Sequence, residues 1–161
     1  DLLRHGAGWT DAVLLSRARE GDADAVPLAA ALAPGRERRD ETLSQGGAFA
    51  RTTTALAGET IEEAAHPVAV GVASRALGLS TETVAALYLQ AFAANLVSAA
   101  VRFVPLGQTE GQRVLAALHP LIGQIAAEAA AAPLDAVGGA AWRADIASMQ
   151  HETMTTRIFR S

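Results

Sequence analysis

The chain has 161 residues, a formal net charge of -4, 13 lysine-or-arginine residues that are all arginine, and no cysteine. Without lysine there is no P-loop, Schiff-base lysine or lysine general base; without cysteine there are no disulfides, zinc ribbons or thiolate metal sites. Hydrophobic residues make up 50% of the chain but aromatics only 4%, and 38 residues are alanine, the best helix former and a poor core filler, so the composition points to closely packed helices.

Strictly alternating β-branched runs are missing, and the expected class is an all-α, single-domain helical bundle with a long central helix. No basic face large enough for duplex DNA is visible, so no nucleic-acid partner is expected. No signal peptide is visible, and with the lack of cysteine this points to a cytoplasmic protein. The sequence opens at Asp1 with a helix already under way, which reads as a piece of a longer protein.

Residues 1–19 carry Leu2, Leu3, Trp9, Val13, Leu14 and Leu15, one or two helical turns of buried face, with Gly6 and Gly8 arguing against one continuous helix. Residues 20–24 read as a turn in which Asp22 or Asp24 caps a helix over residues 25–32. "APGRERRDE" (residues 33–41) is expected to be a solvated loop entering the next helix. Residues 40–57 are expected to be helical, anchored by Leu43, Phe49 and Leu56, with Gly46 and Gly47 as a weak spot or a close-packing point. A short connecting helix is expected over 58–67, interrupted by Pro67, and another over 68–77, ended at Gly78.

The longest element is expected over 83–104, capped by Ser80 or Thr81, with Glu82 in its first turn where the helix dipole favours it. It is long enough to span a bilayer, but Gln90, Asn95, Ser98 and Arg102 in an alanine-rich background favour a buried helix of a soluble bundle and no membrane. Tyr88, Asn95, Ser98 and Arg102 share one stripe. They either satisfy one another, face solvent, or form a polar seam along a partner surface. Pro105 and Gly107 make a turn, and Thr109 to Gln112 fits a capping box for the following helix. Val114, Leu115 and Leu118 follow at core spacing, Pro120 kinks or restarts the helix, and residues 121–132 continue it to Pro133. Residues 135–141 connect to a last helix whose face is defined by Trp142, Ile146 and Met149.

Glu63 and His66 have the Glu-x-x-His spacing of carboxylate-bridged di-iron bundles, but such sites need a second copy and two more glutamates, and Pro67 follows at once. His5, His66, His119 and His151 are scattered, so even a weak nickel site would have to be assembled by the fold or by dimerisation. No Ser/His/Asp arrangement or glycine-rich phosphate loop has supporting context. The expectation is a protein that is not an enzyme, with no catalytic residues and no cofactor. It works by presenting surfaces.

Three segments carry a family resemblance: "GRERRDETLSQGGAF" (35–49), residues 66–115 from "HPVAVGVASRALGLS" to "VRFVPLGQTEGQRVL", and "DIASMQHETMTTRIFRS" (145–161). Together they resemble the urease accessory protein UreF family. The resemblance implies an all-α homodimer that joins UreD (also called UreH), recruits the GTPase UreG, and so helps deliver nickel to urease apoprotein. It divides the chain into a helical domain, 1–150, and a docking tail, 151–161. It assigns UreD docking to His151, Glu152, Arg157, Ile158, Phe159 and Arg160, and a partner surface to Arg102, Pro105, Leu106, Gly107 and Gln108. Met154, Thr155 and Thr156 stand where family tails carry an aromatic, so the tail's pocket is expected to be packed differently. The family's N-terminal glycine- and serine-rich segment precedes the point where this sequence opens, and it bears on UreD binding and dimer integrity. The alternative is a generic helical dimerisation or ligand-binding module unrelated to urease.

Overall fold

The computed structural model describes residues 1–155. They form eight α-helices: α1 (Leu2–His5), α2 (Ala7–Glu20), α3 (Ala25–Ala31), α4 (Arg36–Ala57), α5 (His66–Ala73), α6 (Thr81–Phe103), α7 (Gln108–Ala131) and α8 (Trp142–His151). Short 3₁₀ turns follow α5 and α7, and there is no strand among the described residues. The all-α bundle expected from composition is what the chain builds.

The enclosed helix is α2. Ala12, Val13, Leu14, Leu15 and Ser16 are all within 1% of complete burial, so this stretch has no wet face. Its two sides belong to two cores. Ala12, Val13 and Leu15 pack with Val84, Leu89, Leu115 and Ile125 of α6 and α7, while Leu14 and Ala18 pack with Ala25, Ala29 and Val68 of α3 and α5. The buried hydroxyl of Ser16 donates to the Ala12 carbonyl at 2.8 Å and so needs no outside partner. Gly6 ends α1 and starts α2, which accounts for the broken periodicity there.

Small residues let the backbones close on one another. A methyl at Gly71 of α5 would collide with the Leu15 carbonyl oxygen, and one at Gly46 of α4 with the Ala64 carbonyl oxygen. Arginines then cap the ends at one corner of the bundle. Arg19 donates to the carbonyls of Ser74, Leu77 and Leu79, and Arg75 returns bonds to the Ala18 and Arg19 carbonyls at the end of α2. The Arg19 carbonyl at the end of α2 and the Leu77 and Leu79 carbonyls in the loop before α6 gain donors this way.

Several local expectations change. α4 is anchored by Thr42, Gly46, Gly47 and Ala50, whereas Leu56 is 84% exposed and Leu43 lies at the surface. The close approach at Gly46 leaves no room for large anchors on that face, which is the close-packing role expected of it. Residues 59–65 form no helix and bring the chain back against α4, where Ile61 N–H donates to Thr54 Oγ1 at 2.9 Å, before α5 begins. Asp24 is the N-cap of α3 without a capping side chain; Asp22 instead accepts from the Asp24 backbone N–H at 3.1 Å. Ser80 caps α6 as expected, accepting from Thr83 N–H at 3.1 Å. α7 starts at Gln108 behind Gly107, so the Thr109 capping box does not form, and the helix runs through Pro120 without stopping.

α6 and α7 form a long antiparallel hairpin, and only its base is held by the bundle. α6 buries Val84, Ala85, Leu89 and Ala93, and nothing beyond them toward Phe103. Both helices are long and apolar enough to cross a membrane by length and composition, and in each only 22% of the most apolar window is buried in the protein. The long helix is therefore present, but the enclosed one is α2.

Adding a methyl at Gly46 pushes backbone against backbone, so Gly46→Ala is expected to cost about 3 kcal/mol of stability. Gly123 in α7 has open space around the same position, and Gly123→Ala is expected to gain about 0.5–1 kcal/mol from helix propensity alone. Chemical denaturation of the two variants measures both signs. Equal effects would contradict the close contact at Gly46.

Candidate functional site

A carboxylate on an enclosed helix has to be met by donors from its neighbours, because an unpaired buried charge is costly. Asp11 of α2 is such a group. Arg38 of α4 donates Nη2 to Asp11 Oδ2 at 3.1 Å, and Tyr88 of α6 donates its hydroxyl to the same oxygen at 3.0 Å. Arg38 Nη1 also donates to Glu41 Oε2 at 3.1 Å, and Gln45 Nε2 donates to Glu41 Oε1 at 3.0 Å. His66 at the start of α5 completes the chain, with Nδ1 3.4 Å from the Tyr88 oxygen. The tyrosine proton is committed to Asp11, so the network assigns the proton to His66 Nδ1, which donates to the tyrosine oxygen. The His66 ring lies 5.5 Å from the Tyr88 ring and 5.9 Å, edge-on, from Phe49.

Burial pushes the Asp11 carboxyl up from its ordinary value, with Arg38 opposing it. Burial works against the Arg38 charge, but Asp11 and Glu41 outweigh it and hold the guanidinium protonated. Burial and then the nearby Arg38 charge lower the His66 pKa. Burial and Asp11 push the Tyr88 phenol well above its ordinary value. A tyrosine that resists ionisation and an arginine that is already paired have little acid–base chemistry to offer. The cluster ties α2, α4, α5 and α6 together.

The cluster forms the floor of a cleft of about 420 Å³ between α4, α6 and α8. Arg38, Glu41, His66, Tyr88, Phe92, Asn95 and Asp145 line it. The stripe expected on the long helix is thus split: Tyr88 and Asn95 reach the cleft, while Ser98 and Arg102 are exposed further along α6. Glu63 and His66 do not act together, because Glu63 pairs with Arg51 at 2.5 Å and His66 belongs to the cluster. Among the described residues no group of three His, Asp or Glu side chains is placed to hold a metal ion.

The sequence-derived partner residues fall in two places. Arg102, Pro105, Gly107 and Gln108 are exposed, and Leu106 half-buried, at the α6–α7 turn, beside Phe103 and Val104, each more than half exposed. His151 and Glu152 lie at the end of α8, half-buried against the start of α4. His151 Nδ1 is 2.8 Å from Glu37 Oε2, and Glu152 Oε1 accepts from the Glu37 backbone N–H at 3.2 Å. Arg157, Ile158, Phe159 and Arg160 lie outside the described residues. The apolar face that Trp142, Ile146 and Met149 define on α8 points outward: they are 68%, 53% and 50% exposed, and α8 buries none of its residues. Ala144, Asp145 and Ser148 face the cleft instead.

The Asp11 cluster was missed by sequence reasoning. Arg38 sits in a charged run that reads as solvated, and the usable signal was Asp11 itself, a lone acid inside the apolar stretch from Trp9 to Leu15.

The profile of the UreF family matches residues 1–119. A urease accessory protein UreF of Cereibacter sphaeroides (strain ATCC 17029 / ATH 2.4.9) is 61% identical over 163 aligned residues, covering 100% of this chain and 78% of the relative. The urease accessory protein UreF of Paracoccus denitrificans is 52% identical over 100% of this chain and 76% of its own length. That of Roseobacter denitrificans is 46% identical over 100% of this chain and 74% of its own length.

Two substitutions test the cluster. Asp11→Ala leaves Arg38 half-paired in the interior and is expected to cost about 3 kcal/mol in chemical denaturation. The His66 pKa is lower in the folded chain than in the unfolded one, so its contribution is complete above the unfolded value of about 6.5 and is lost as pH falls below it. Asp11, shifted upward, acts in the opposite sense, losing stability as pH rises above its ordinary 3.8. His66→Gln should therefore flatten the fall in melting temperature between about pH 7 and 5. An unchanged slope would show that His66 does not titrate against the cluster.

Proposed function

The chain belongs to the UreF family of urease accessory proteins, and on that premise we propose that it is a cytoplasmic, homodimeric adaptor in nickel insertion into urease. It binds UreD (UreH) and recruits or modulates the GTPase UreG, with nickel as the cargo of the assembly rather than a cofactor of this chain. The observation that carries this reading is where the exposed apolar side chains lie. Phe103 and Val104 flank the α6–α7 turn, and Trp142, Ile146 and Met149 run along the outside of α8. Large exposed apolar groups beside arginine are the composition of partner-binding centres.

In this reading the turn offers Arg102, Pro105, Leu106, Gly107 and Gln108 to a partner. His151 and Glu152, with Arg157, Ile158, Phe159 and Arg160, form the UreD-docking tail. Phe159 between arginines is the hot-spot residue. The cleft cluster supports the surfaces by fixing α4 and α6.

Phe159→Ala is expected to weaken co-purification with UreD about tenfold or more, with helical content by circular dichroism unchanged. Full retention of the complex would remove the tail from the interface.

A further inference from the structure

The outer half of α6 has one face taken and one left open. Val97 and Val101 lie against Gly111 of α7, while Ala91, Asn95, Ser98, Ala99 and Arg102 are exposed. Asn95 and Arg102 stand about two helical turns apart, so they share one side of the helix, with Ser98 and Ala99 midway between them. The two ends of this stretch carry complementary chemistry. Asn95 lines the cleft between α4, α6 and α8 together with Asp145 of α8. Glu41, the other carboxylate of that cleft, is engaged by Arg38 and Gln45. The Asp145 carboxylate and the Arg102 guanidinium take part in no hydrogen bond or ion pair among the described residues.

We propose that a second copy of this chain covers the stripe, the two α6 helices crossing antiparallel at Ser98 and Ala99, with Arg102 of each copy entering the other's cleft beside Asp145. A two-fold dimer needs a self-complementary face, in which one residue meets a second across the interface and the second meets the first in return. A crossing midway between Asn95 and Arg102 meets that need. It sets Arg102 opposite Asn95 twice over and delivers one cation to each cleft. The small side chains at the crossing let the two helices approach closely. Phe103 and Val104 lie outside this stripe and stay open to a different protein. This interface rests on the homodimer proposed above and gives the place where it closes.

Charge reversal in the full chain, read by size exclusion with light scattering, tests the pairing. Arg102→Glu and Asp145→Arg are each expected to weaken self-association about a hundredfold, because every dimer of a single variant holds two like-charged contacts. An equimolar mixture of the two variants should recover association to within about threefold of the original. In that mixed dimer the introduced glutamate meets the introduced arginine, and the second contact keeps its original pair. Ser148→Arg, on the same wall of the cleft, replaces Asp145→Arg if circular dichroism shows the latter unfolded. An original chain that is monomeric removes the homodimer and this interface together. A dimer that both single variants leave intact, or folded variants that stay monomeric when mixed, overturns the interface alone. Variants that dimerise normally but no longer co-purify with UreD assign the stripe to UreD and also overturn it.

Discussion

A helix that is enclosed on every side must be met by neighbours that reach its backbone, and α2 imposes that condition on the whole bundle. Ala12 to Ser16 leave no face for solvent, so α5 approaches through Gly71, and the α6–α7 base closes the other side with Val84, Leu89 and Ile125. Buried aliphatic side chains here contribute about 1.5–3 kcal/mol each relative to exposure. The same enclosure puts Asp11 where only a full set of donors makes its charge tolerable, and Arg38 and Tyr88 supply them from two different helices. Packing joins α2 to α5, α6 and α7, and the polar pairing ties α4 to the same helix.

What that core does not hold is equally informative. The bundle spends its apolar side chains unevenly: small ones inside, and several of the largest outside. Trp142, Ile146, Met149, Phe103 and Val104 are at least half exposed while alanines fill much of the core. This is the reverse of the ordinary preference for burying large apolar groups. It accords with a urease accessory protein that acts through contact with other proteins, and the outer half of the α6–α7 hairpin offers the length for it.

The all-α class was legible because alanine content, capping serine and the Pro105–Gly107 turn all act locally. Ser80 and the α6–α7 turn follow from neighbours within a few residues, and they stand where expected. The orientation of faces was not legible. Leu43 and Leu56 look like anchors by hydrophobicity, yet the face of α4 that packs is the one with Gly46, because backbone approach decided it. Trp142, Ile146 and Met149 define a stripe by spacing, but spacing does not say which way a stripe points. The cleft cluster needed residues from four helices, separated by up to 77 positions in the chain between Asp11 and Tyr88. No local pattern encodes that meeting. The partner residues at 102–108 and 151–160 were reached by family resemblance, and Arg157 to Arg160 lie outside the described residues.

The central claim is that the side chains left outside by α2 and its neighbours are the ones a partner covers. Hydrogen–deuterium exchange by mass spectrometry, on the chain alone and with UreD, reads this directly. The account predicts protection on complex formation in peptides covering residues 102–108 and 142–161, with α2 unchanged because it is already enclosed. Protection confined to other surfaces, or none in a chain that co-elutes with UreD, would contradict it.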